Sequence, residues 1–411
     1  MADSSGGTVR IAFDQRIPMR DGVTLSADIY FPTAAAGDGG TGYPALVSRT
    51  PYVKANTATL ESGRYYAEHG YVFVAQDVRG RGDSDGQFVP YFHDGRDGFD
   101  TIEWCAAQPW SNGKVGTTGG SYLGHIQWLA ALQQPPHLKA MVSMVTPSDP
   151  FVETPTGLPS PMHLCWLHYV SGRMNQPMEA VDWASIYDHL PLVSMDERAG
   201  RRNQHWRANI AHPQRDEYWE PLCYQHQFAR LDVPVLHISG WYDDEQVGTP
   251  LNYIGMTTQA ATPEARASQR LLMGPWGHQI NTTAKLGELI FGAQALIDLR
   301  AEITGWFDRW LKEGPANVAA PVRIFVMGAN TWRDEQEWPL ARTRWTPYYL
   351  RSGGHANSRF GDGALATTPP AEEPADNYRY DPARPVPFIT EPTSSQIGGP
   401  DDYTAIERRD D

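Results

Sequence analysis

One short stretch, GTTGGSYLGHIQWLAA at residues 116 to 131, constrains the fold of this chain more than any other. Two glycines precede Ser121, an aromatic residue and a further glycine follow it, and the stretch continues as an apolar run. The pattern is close to the G-x-S-x-G elbow, in which a strand turns sharply into a helix and leaves the serine hydroxyl above the sheet. The last glycine, Gly124, stands one residue later than in that motif. Other features of the chain must therefore decide whether Ser121 is a nucleophile.

Short apolar runs alternate with helical patterns through the first 150 residues, which predicts a sheet with crossover helices. The run at 22–32 alternates apolar and polar residues and predicts an antiparallel edge strand. The helical spacing at 99–108 predicts a crossover helix. Continuous apolar runs and the segment leading to the elbow predict strands of a parallel sheet at 43–50, 70–80, 114–120 and 138–146.

The pattern changes after residue 150. Residues 151–229 are rich in Pro, Trp, His and Tyr, with helical patches such as MEAVDWASIYDHL and no strand-like run, which predicts an inserted helical cap. Sheet strands are expected again at 233–241 and 268–278. A long amphipathic helix is predicted at 293–313, ended by Gly314 and Pro315. After residue 320 the sequence has an all-β texture.

Composition excludes several classes of function. The net charge of −14, from 34 bases and 48 acids, argues against binding to nucleic acid or to an anionic membrane surface, because both are bound by basic patches. No run of 18 apolar residues and no secretory signal occur, so we expect a cytoplasmic protein. Cys105, Cys165 and Cys223 are widely spaced and odd in number, which predicts buried thiols and neither a disulfide framework nor a zinc site.

A nucleophilic serine needs an acid and a histidine at the carboxyl ends of later strands, in the chain order serine, acid, histidine. In HISGWYDDEQ, Asp243 comes directly after a predicted buried strand. In LLMGPWGH, His278 follows the next one. Order and context both favour a serine nucleophile on an α/β-hydrolase core. Asp244 and Glu245 compete with Asp243 for the role of the acid.

The segments GGSYLG, GWYD, GPWGH, RTPY and DVRGRGDSDGQF together resemble the cocaine esterase and X-Pro dipeptidyl-peptidase family of serine hydrolases, which includes cephalosporin acylases and α-amino acid ester hydrolases. The resemblance runs from about residue 15 to the C-terminus. It accounts for the late glycine, since the elbow of this family reads G-x-S-Y-x-G. It implies an α/β fold with an α/β-hydrolase core at 1–150 and 230–318, a helical cap at 151–229, and a jelly-roll-like β domain at 319–411 that ends early at YTAIERRDD.

The resemblance also implies a role for each site residue. Ser121 is expected to be the nucleophile, His278 the general base and then acid, and Asp243 the group that orients the imidazole. The Tyr52 hydroxyl and the backbone N–H of Tyr122 are expected to stabilise the oxyanion. The alternative for Tyr52 is a core tyrosine bonded to a carbonyl group. Neither a cofactor nor a metal is implied, and His163, His168 and His205 are expected in the cap or at the surface.

Three further residues are candidates for substrate binding. Glu245 stands where α-amino acid ester hydrolases begin an acidic cluster that holds a substrate ammonium group, although Gln246 follows where that subfamily has another acid. Trp166 and Tyr169 are expected to shape an apolar acyl pocket, with packing as the alternative for each. The glycine-rich loop RGRGDSDG at 79–86 is interpreted as a structural brace.

Three hypotheses for the function remain open. The first is a hydrolase of small-molecule esters or acyl amides that acts without a cofactor, with both a monomer and a homo-oligomer left open. The second is an X-Pro dipeptidyl-peptidase, which is less favoured because those chains are usually longer and carry an extra N-terminal domain. The third is an inactive binding module, which the presence of Ser121, Asp243, His278 and Tyr52 disfavours.

Overall fold

The computed structural model describes residues 9–32, 42–314, 320–385 and 408. The strands are β1 Arg10–Pro18, β2 Thr24–Phe31, β3 Tyr43–Thr50, β4 Val72–Asp77, β5 Ser111–Gly120, β6 Leu138–Met144, β7 Val235–Gly240, β8 Gln269–Gly274, β9 Lys285–Leu286, β10 Leu289–Ile290, β11 Val322–Val326, β12 Thr331–Glu335, β13 Tyr349–Arg351 and β14 Ala364–Ala366. The helices are α1 Thr57–Glu68, α2 Asp94–Ala106, α3 Tyr122–Ala131, α4 Pro150–Glu153, α5 Pro161–Tyr169, α6 Trp183–Tyr187, α7 Met195–Arg198, α8 Gln204–Ala211, α9 Gly248–Gln259, α10 Pro263–Ala267 and α11 Leu299–Leu311.

Ten strands form one mixed sheet in the order β1-β2-β4-β3-β5-β6-β7-β8-β11-β12. Strand β4 shows why the central strands of this sheet have continuous apolar sequences. Val72 and Val74 point into a core formed with helices α2 and α3, whereas Phe73 points into a second core formed with helices α1 and α11. Successive side chains of a strand point to opposite faces, so helices on both faces require apolar residues at almost every position.

The strand predicted at 22–32 is present as β2, but the prediction that it lies at the edge is wrong. It pairs antiparallel with β1 on one side and with β4 on the other, and β1 is the edge strand. The polar residues of β2 are bonded inside the protein: Ser26 N donates to Ser84 Oγ at 2.8 Å, and Asp28 lies 3.5 Å from Lys54 Nζ. The polar residues that alternate along this strand therefore have buried polar partners and do not mark a face exposed to solvent.

The chain after residue 320 begins differently from the sequence-based expectation. Residues 321–329 are expected to start a separate β domain, yet β11 pairs parallel with β8 and extends the main sheet, with Val322 opposite Leu271. Strand β12 then pairs antiparallel with β11. A parallel neighbour requires a long crossover, and helix α11 supplies it. Strand β11 therefore belongs to the main sheet, although it follows the expected boundary at residue 319.

The two helices predicted around this sheet are present with shifted bounds. The helix expected at 99–108 begins earlier, at Asp94, and the helix expected at 293–313 runs from Leu299 to Leu311. Asp298 caps α11 by accepting a hydrogen bond from Ala301 N at 3.0 Å, which fixes its later start. Gly314 N donates to the Asp308 carbonyl at 2.9 Å after the last turn. The predicted terminator Pro315 lies outside the described residues.

The segment between β6 and β7 contains helices α4 to α8 and no strand, as the sequence predicts. Trp183 and Trp206 are fully buried in its own small core with Leu164 and Leu167. The patch MEAVDWASIYDHL forms a short 3₁₀ turn followed by α6. All three cysteines are buried thiols, as expected.

Strands β13 and β14 pair antiparallel as a separate two-stranded sheet. Trp345, Leu350 and Tyr378 in this part of the chain are more than three-quarters exposed. The predicted ending YTAIERRDD lies outside the described residues, except Arg408. Within the described ranges, no helix combines the length and the apolar character needed to cross a bilayer.

Candidate active site

Ser121 lies in a sharp turn between strand β5 and helix α3. Its backbone has φ 59° and ψ −129°, a strained conformation for a residue other than glycine. As the residue preceding α3, Ser121 makes no side-chain cap hydrogen bond, so its hydroxyl is free to face away from the helix. Helix α3 begins at Tyr122, whose N–H belongs to a first turn without intrahelical acceptors.

The glycine that stands one residue late has a steric cause. A Cβ atom on Gly124 would lie 2.2 Å from Thr146 Oγ1 and 3.0 Å from the Met144 carbonyl oxygen. On Gly119, which has φ 155°, a Cβ atom would lie 2.4 Å from the Leu123 Cβ. Gly124 therefore lets helix α3 pack directly against the end of β6 and its following loop, and Gly119 lets the end of β5 approach Leu123 of α3.

His278 and Asp243 follow adjacent strands and meet beside the elbow. His278 Nδ1 and Asp243 Oδ1 are 2.8 Å apart, and the Asp243 side chain is completely buried. Ser239 Oγ donates to the other oxygen of Asp243 at 2.7 Å, and Glu245 N donates to Oδ1 at 3.2 Å. The acid is therefore fixed by three hydrogen bonds and orients the imidazole ring.

Two more carboxylates face the same imidazole nitrogen. Asp244 Oδ1 lies 3.6 Å and Glu245 Oε2 lies 3.9 Å from His278 Nδ1. Burial alone would lower the pKa of His278, but the hydrogen bond to Asp243 and the negative charges of Glu245, Asp243 and Asp244 outweigh it and raise the pKa to about 9. Asp243 has the shortest contact and a completely buried side chain, whereas the Asp244 side chain is 40% exposed and the mostly buried Glu245 side chain is 22% exposed.

Ser121 contacts Glu245 and Tyr52. Its Oγ donates to Glu245 Oε2 at 3.5 Å. Burial raises the pKa of the Tyr52 hydroxyl, and hydrogen bonds with Trp166 and Ser121 lower it by less. In the described part of the chain, Ser121 Oγ makes no hydrogen bond to the His278 ring. Catalytic contacts of this kind are often long before substrate binds, so the observed positions remain compatible with a serine–histidine pair.

Tyr52 is held from the cap side by Trp166 and Tyr169. Trp166 Nε1 donates to the Tyr52 hydroxyl oxygen at 3.1 Å, and the rings of Tyr52 and Tyr169 stack with centroids 5.8 Å apart. Asn175 Nδ2 donates to both the Tyr52 carbonyl and the Tyr169 hydroxyl at 2.9 Å. The indole N–H occupies one lone pair of the phenol oxygen, which leaves the phenol hydrogen free to point elsewhere.

Tyr122 is anchored below the elbow by a buried network. Its hydroxyl donates to Asp94 Oδ2 at 2.5 Å and accepts from Tyr91 N at 3.0 Å. Asp94 in turn pairs with Arg49 at 3.0 Å. The Tyr122 ring stacks on Tyr91 with centroids 4.3 Å apart. This network fixes the first residue of α3 and, through it, the N–H group that follows the serine.

The glycine-rich loop at 79–86 connects the core to the cap. Arg81 is fully buried and donates to the carbonyl groups of Pro51 at 2.6 Å and Val170 at 2.7 Å. It also donates to Asn175 Oδ1 at 2.8 Å. Arg79 pairs with Asp97. These contacts agree with the interpretation of the loop as a brace.

A cavity of about 380 Å³ lies beside the elbow, between the cap and the sheet. Its wall is mostly apolar and aromatic, with Tyr91, Phe151 and Trp219 among its residues, and it includes the carboxylates of Glu153, Asp244 and Glu245. We name these three side chains the acidic wall. Trp166 and Tyr169 do not line this cavity and lie against Tyr52 instead.

Sequence reasoning missed Glu153. It lies on the short helix α4 after strand β6, and no motif in the sequence singles it out. Burial raises the pKa of Glu153 to about 7, with Asp243 and Asp244 adding to the rise. Burial likewise raises the pKa of Glu245 well above its usual value, and Asp244, Asp243 and Glu153 contribute further. The acidic wall is therefore a set of carboxylates that repel one another.

Asp243, Asp244 and His278 offer one ligand atom each within 4.8 Å of one another, which is the spacing of a possible metal site. His278 Nδ1 is already hydrogen-bonded to Asp243 at 2.8 Å. The same donor set is what a serine hydrolase needs to orient its imidazole. Proximity alone therefore gives no reason to assign a cation here.

Comparisons with known proteins agree with this geometry. The sequence matches the family described as X-Pro dipeptidyl-peptidase (S15 family) over residues 21–280, and the X-Pro dipeptidyl-peptidase C-terminal non-catalytic domain over residues 317–410. Cocaine esterase from Rhodococcus sp. (strain MB1 Bresler) is 34% identical over 437 residues, which cover 98% of this chain and 74% of that protein.

Solved structures give the same result. An α-amino acid ester hydrolase superposes with a TM-score of 0.79 at 26% identity, covering 97% of this chain and 70% of its own. An aminopeptidase from the marine sediment archaeon Thaumarchaeota archaeon superposes with a TM-score of 0.78 at 25% identity, covering 98% of this chain and 70% of its own. The ten-stranded sheet with its flanking helices is thus an α/β-hydrolase core.

Proposed function

Because this chain belongs to the S15 family of X-Pro dipeptidyl-peptidases and related serine hydrolases, we propose that it cleaves small-molecule carboxylic esters or acyl amides through an acyl-enzyme intermediate on Ser121. One observation carries the proposal. The imidazole of His278 is bonded at 2.8 Å to the buried carboxylate of Asp243, next to a serine in a strained turn at the start of a helix.

Each group has a distinct role in the proposed reaction. Neutral His278 accepts the proton of Ser121 as Oγ attacks the carbonyl carbon, and Asp243 stabilises the resulting imidazolium. His278 then gives that proton to the leaving alcohol or amine, which releases it and leaves an acyl ester on Ser121. Water repeats the sequence, frees the carboxylic acid and restores the serine.

Two donors are proposed to hold the oxyanion. One is the Tyr122 N–H, which lies in the first turn of α3, where the helix dipole also favours negative charge. The other is the Tyr52 hydroxyl, whose raised pKa keeps the phenol neutral and able to donate. Trp166 supports this role, because its N–H occupies the other side of the phenol oxygen.

Esters are favoured over X-Pro peptides by the 34% identity to an esterase across 98% of this chain. Turnover of p-nitrophenyl butyrate and of Gly-Pro-p-nitroanilide should be compared, with the Ser121→Ala variant as the blank. We expect the ester to be preferred and the variant to be inactive. A clear preference for the anilide would reverse the choice of substrate.

Labelling tests the inactive-module alternative. A fluorophosphonate probe should form an adduct on Ser121 in folded protein. Prior incubation with a substrate ester should slow this labelling. Absence of the adduct in folded protein would refute a nucleophilic Ser121.

The acidic wall favours a more specific candidate function, hydrolysis of esters whose acyl group carries an ammonium. Glu153, Asp244 and Glu245 line the substrate cavity, and all three have raised pKa values, with burial as the largest cause. A substrate ammonium would relieve their repulsion. The methyl esters of phenylalanine and of 3-phenylpropanoic acid differ only in that amino group and make a matched pair.

We expect the phenylalanine ester to have the lower KM, and Glu153→Gln to remove most of that difference. Glu179→Gln, at an exposed position of the cap, is the control. Equal KM values for the two esters would show that the acidic wall does not bind the ammonium, without affecting the proposal for Ser121.

A further inference from the structure

A second cavity, of about 450 Å³, lies on the other side of the cap. The loop after β4, the end of α5 and the start of α8 form its walls. Arg173, Arg201 and Arg202 line it, together with polar groups such as Asn203, and no carboxylate is among its lining residues. We call it the arginine cleft. In a protein with a net charge of −14, three arginines around a cavity without an acid are unexpected.

Two arginines of this cleft donate to neutral partners. Arg173 Nε donates to the Gly82 carbonyl at 3.1 Å, and Arg201 NH1 donates to Ser171 Oγ at 3.4 Å. Across the described ranges, neither these two nor Arg202 forms an ion pair with a carboxylate. Elsewhere in the molecule, arginines such as Arg49 and Arg79 are paired with acids.

Two acids near the cleft already have an arginine partner. Asp85 pairs with Arg16; hydrogen bonds from Thr24 and Arg16 lower its pKa most, and the charge of Arg173 adds to the lowering. Asp196 pairs with Arg207 at 2.7 Å and accepts a further hydrogen bond from Asn203 N at 2.9 Å. The positive charge of the cleft is therefore offset only in part, and among the described residues Arg201 and Arg202 have no carboxylate partner.

The start of helix α8 adds to this field. Gln204 and His205 of its first turn line the cleft, so the positive end of the helix dipole faces it. Asn203 accepts hydrogen bonds from the N–H groups of His205 and Trp206, so these two N–H groups are not available to a ligand. The helix dipole and the guanidinium groups remain available. Guanidinium forks match the two or three oxygens of a carboxylate or a phosphate.

From these observations we propose that the arginine cleft is a second ligand site, which binds a small organic anion carrying a carboxylate or a phosphate group. Its volume is in the range of small-molecule sites. Leu167 and His205 line both this cleft and the substrate cavity, so the two sites share a wall. The proposal is independent of the esterase activity, because none of its three arginines belongs to the catalytic site.

Calorimetric titration at low ionic strength tests the proposal with two probes, inorganic phosphate and succinate, which distinguish the two anionic groups. We expect saturable binding of one or both. The double variant Arg201→Gln, Arg202→Gln should bind about tenfold more weakly or worse, because it loses two charge-assisted contacts. Both side chains are exposed and form no ion pair with any described residue, so the variant should fold and keep its turnover of p-nitrophenyl butyrate.

The matched control is Arg198→Gln, an exposed arginine on cap helix α7 that does not line the cleft. It should bind both probes as the unmodified chain does. Protein labelled on Ser121 with a fluorophosphonate should also retain binding, since the cleft is separate from the substrate cavity. Absence of saturable binding, equal weakening in the control, or loss of binding on labelling would each overturn the proposal.

Discussion

The pKa of His278 can be tested through the pH dependence of catalysis, and the most informative substitution replaces Glu245 by a neutral residue. A general base must be neutral, so kcat/KM should rise with pH until it passes the pKa of His278 in the free enzyme. That pKa is raised to about 9. At pH 7 only about 1% of the imidazole would then be neutral. Removing a nearby negative charge lowers the pKa and moves the acidic limb of the profile to lower pH.

The size of the shift follows from the distance of 3.9 Å between Glu245 Oε2 and His278 Nδ1. Unit charges 4 Å apart interact by about 1 kcal/mol in water and by about 4 kcal/mol at an effective dielectric of about 20. One pKa unit corresponds to about 1.4 kcal/mol. The lower end of this range applies, because the Glu245 side chain is partly exposed and solvent screens its charge. We expect Glu245→Gln to move the midpoint of the acidic limb to lower pH by about one pH unit.

The assay is kcat/KM against pH from 5 to 10 with a neutral ester such as p-nitrophenyl butyrate, corrected for spontaneous hydrolysis. Glu245→Gln should raise kcat/KM near pH 7 by up to about tenfold and leave the plateau at high pH within a few-fold. Glu264→Gln, exposed on helix α10, should leave the profile unchanged. If the acidic limb of the Glu245→Gln profile stays in place or moves to higher pH, the claim that the Glu245 charge raises the pKa of His278 is refuted.

Other perturbations test other parts of the structure. Tyr52→Phe should lower kcat by about 10² to 10³-fold and change KM little in steady-state ester kinetics, because an oxyanion donor acts mainly in the transition state; an unchanged kcat would contradict that role. Gly124→Ala should lower the free energy of unfolding by about 1–3 kcal/mol in urea titration, since the new methyl would lie 2.2 Å from Thr146 Oγ1. Gly305→Ala, in open space on α11, should instead raise it by about 0.5–1 kcal/mol, and a similar loss in both variants would argue against the steric cause. The raised pKa of His278 predicts that its contribution to stability is present below its unfolded pKa of about 6.5 and is lost as pH rises through about 9, so Tm should fall over this window; a Tm that rises with pH there would contradict it.

Much of the core was predictable because each signal is local. The central strands are recognisable because helices cover both faces, so β3 and β4 consist of nearly continuous apolar residues. The elbow, Asp243 and His278 are recognisable because turn chemistry and the residues that end a strand are fixed within a few positions. The role of the late glycine, Gly124, needed the structure, because its cause is the approach of Thr146 from another element.

Other features depend on contacts between distant segments, which no local pattern specifies. Strand β2 alternates like an edge strand, yet Ser84 and Lys54 from other parts of the chain satisfy its polar residues and allow it to be buried. Strand β11 reads as the start of a new domain, but helix α11 brings it back beside β8. Neither pairing could be inferred from residues close in sequence.

The sequence by itself determined the layered fold and the order of serine, acid and histidine, because periodicity, turns and strand ends are properties of neighbouring residues. Only the tertiary structure decided which charged side chains lie close together. It brought Glu153 into the wall with Glu245, placed Trp166 against the Tyr52 hydroxyl, and gathered the arginines of the cleft. Electrostatic energy depends on distance and burial and not on separation along the chain, so the pKa values of this site are set by the fold.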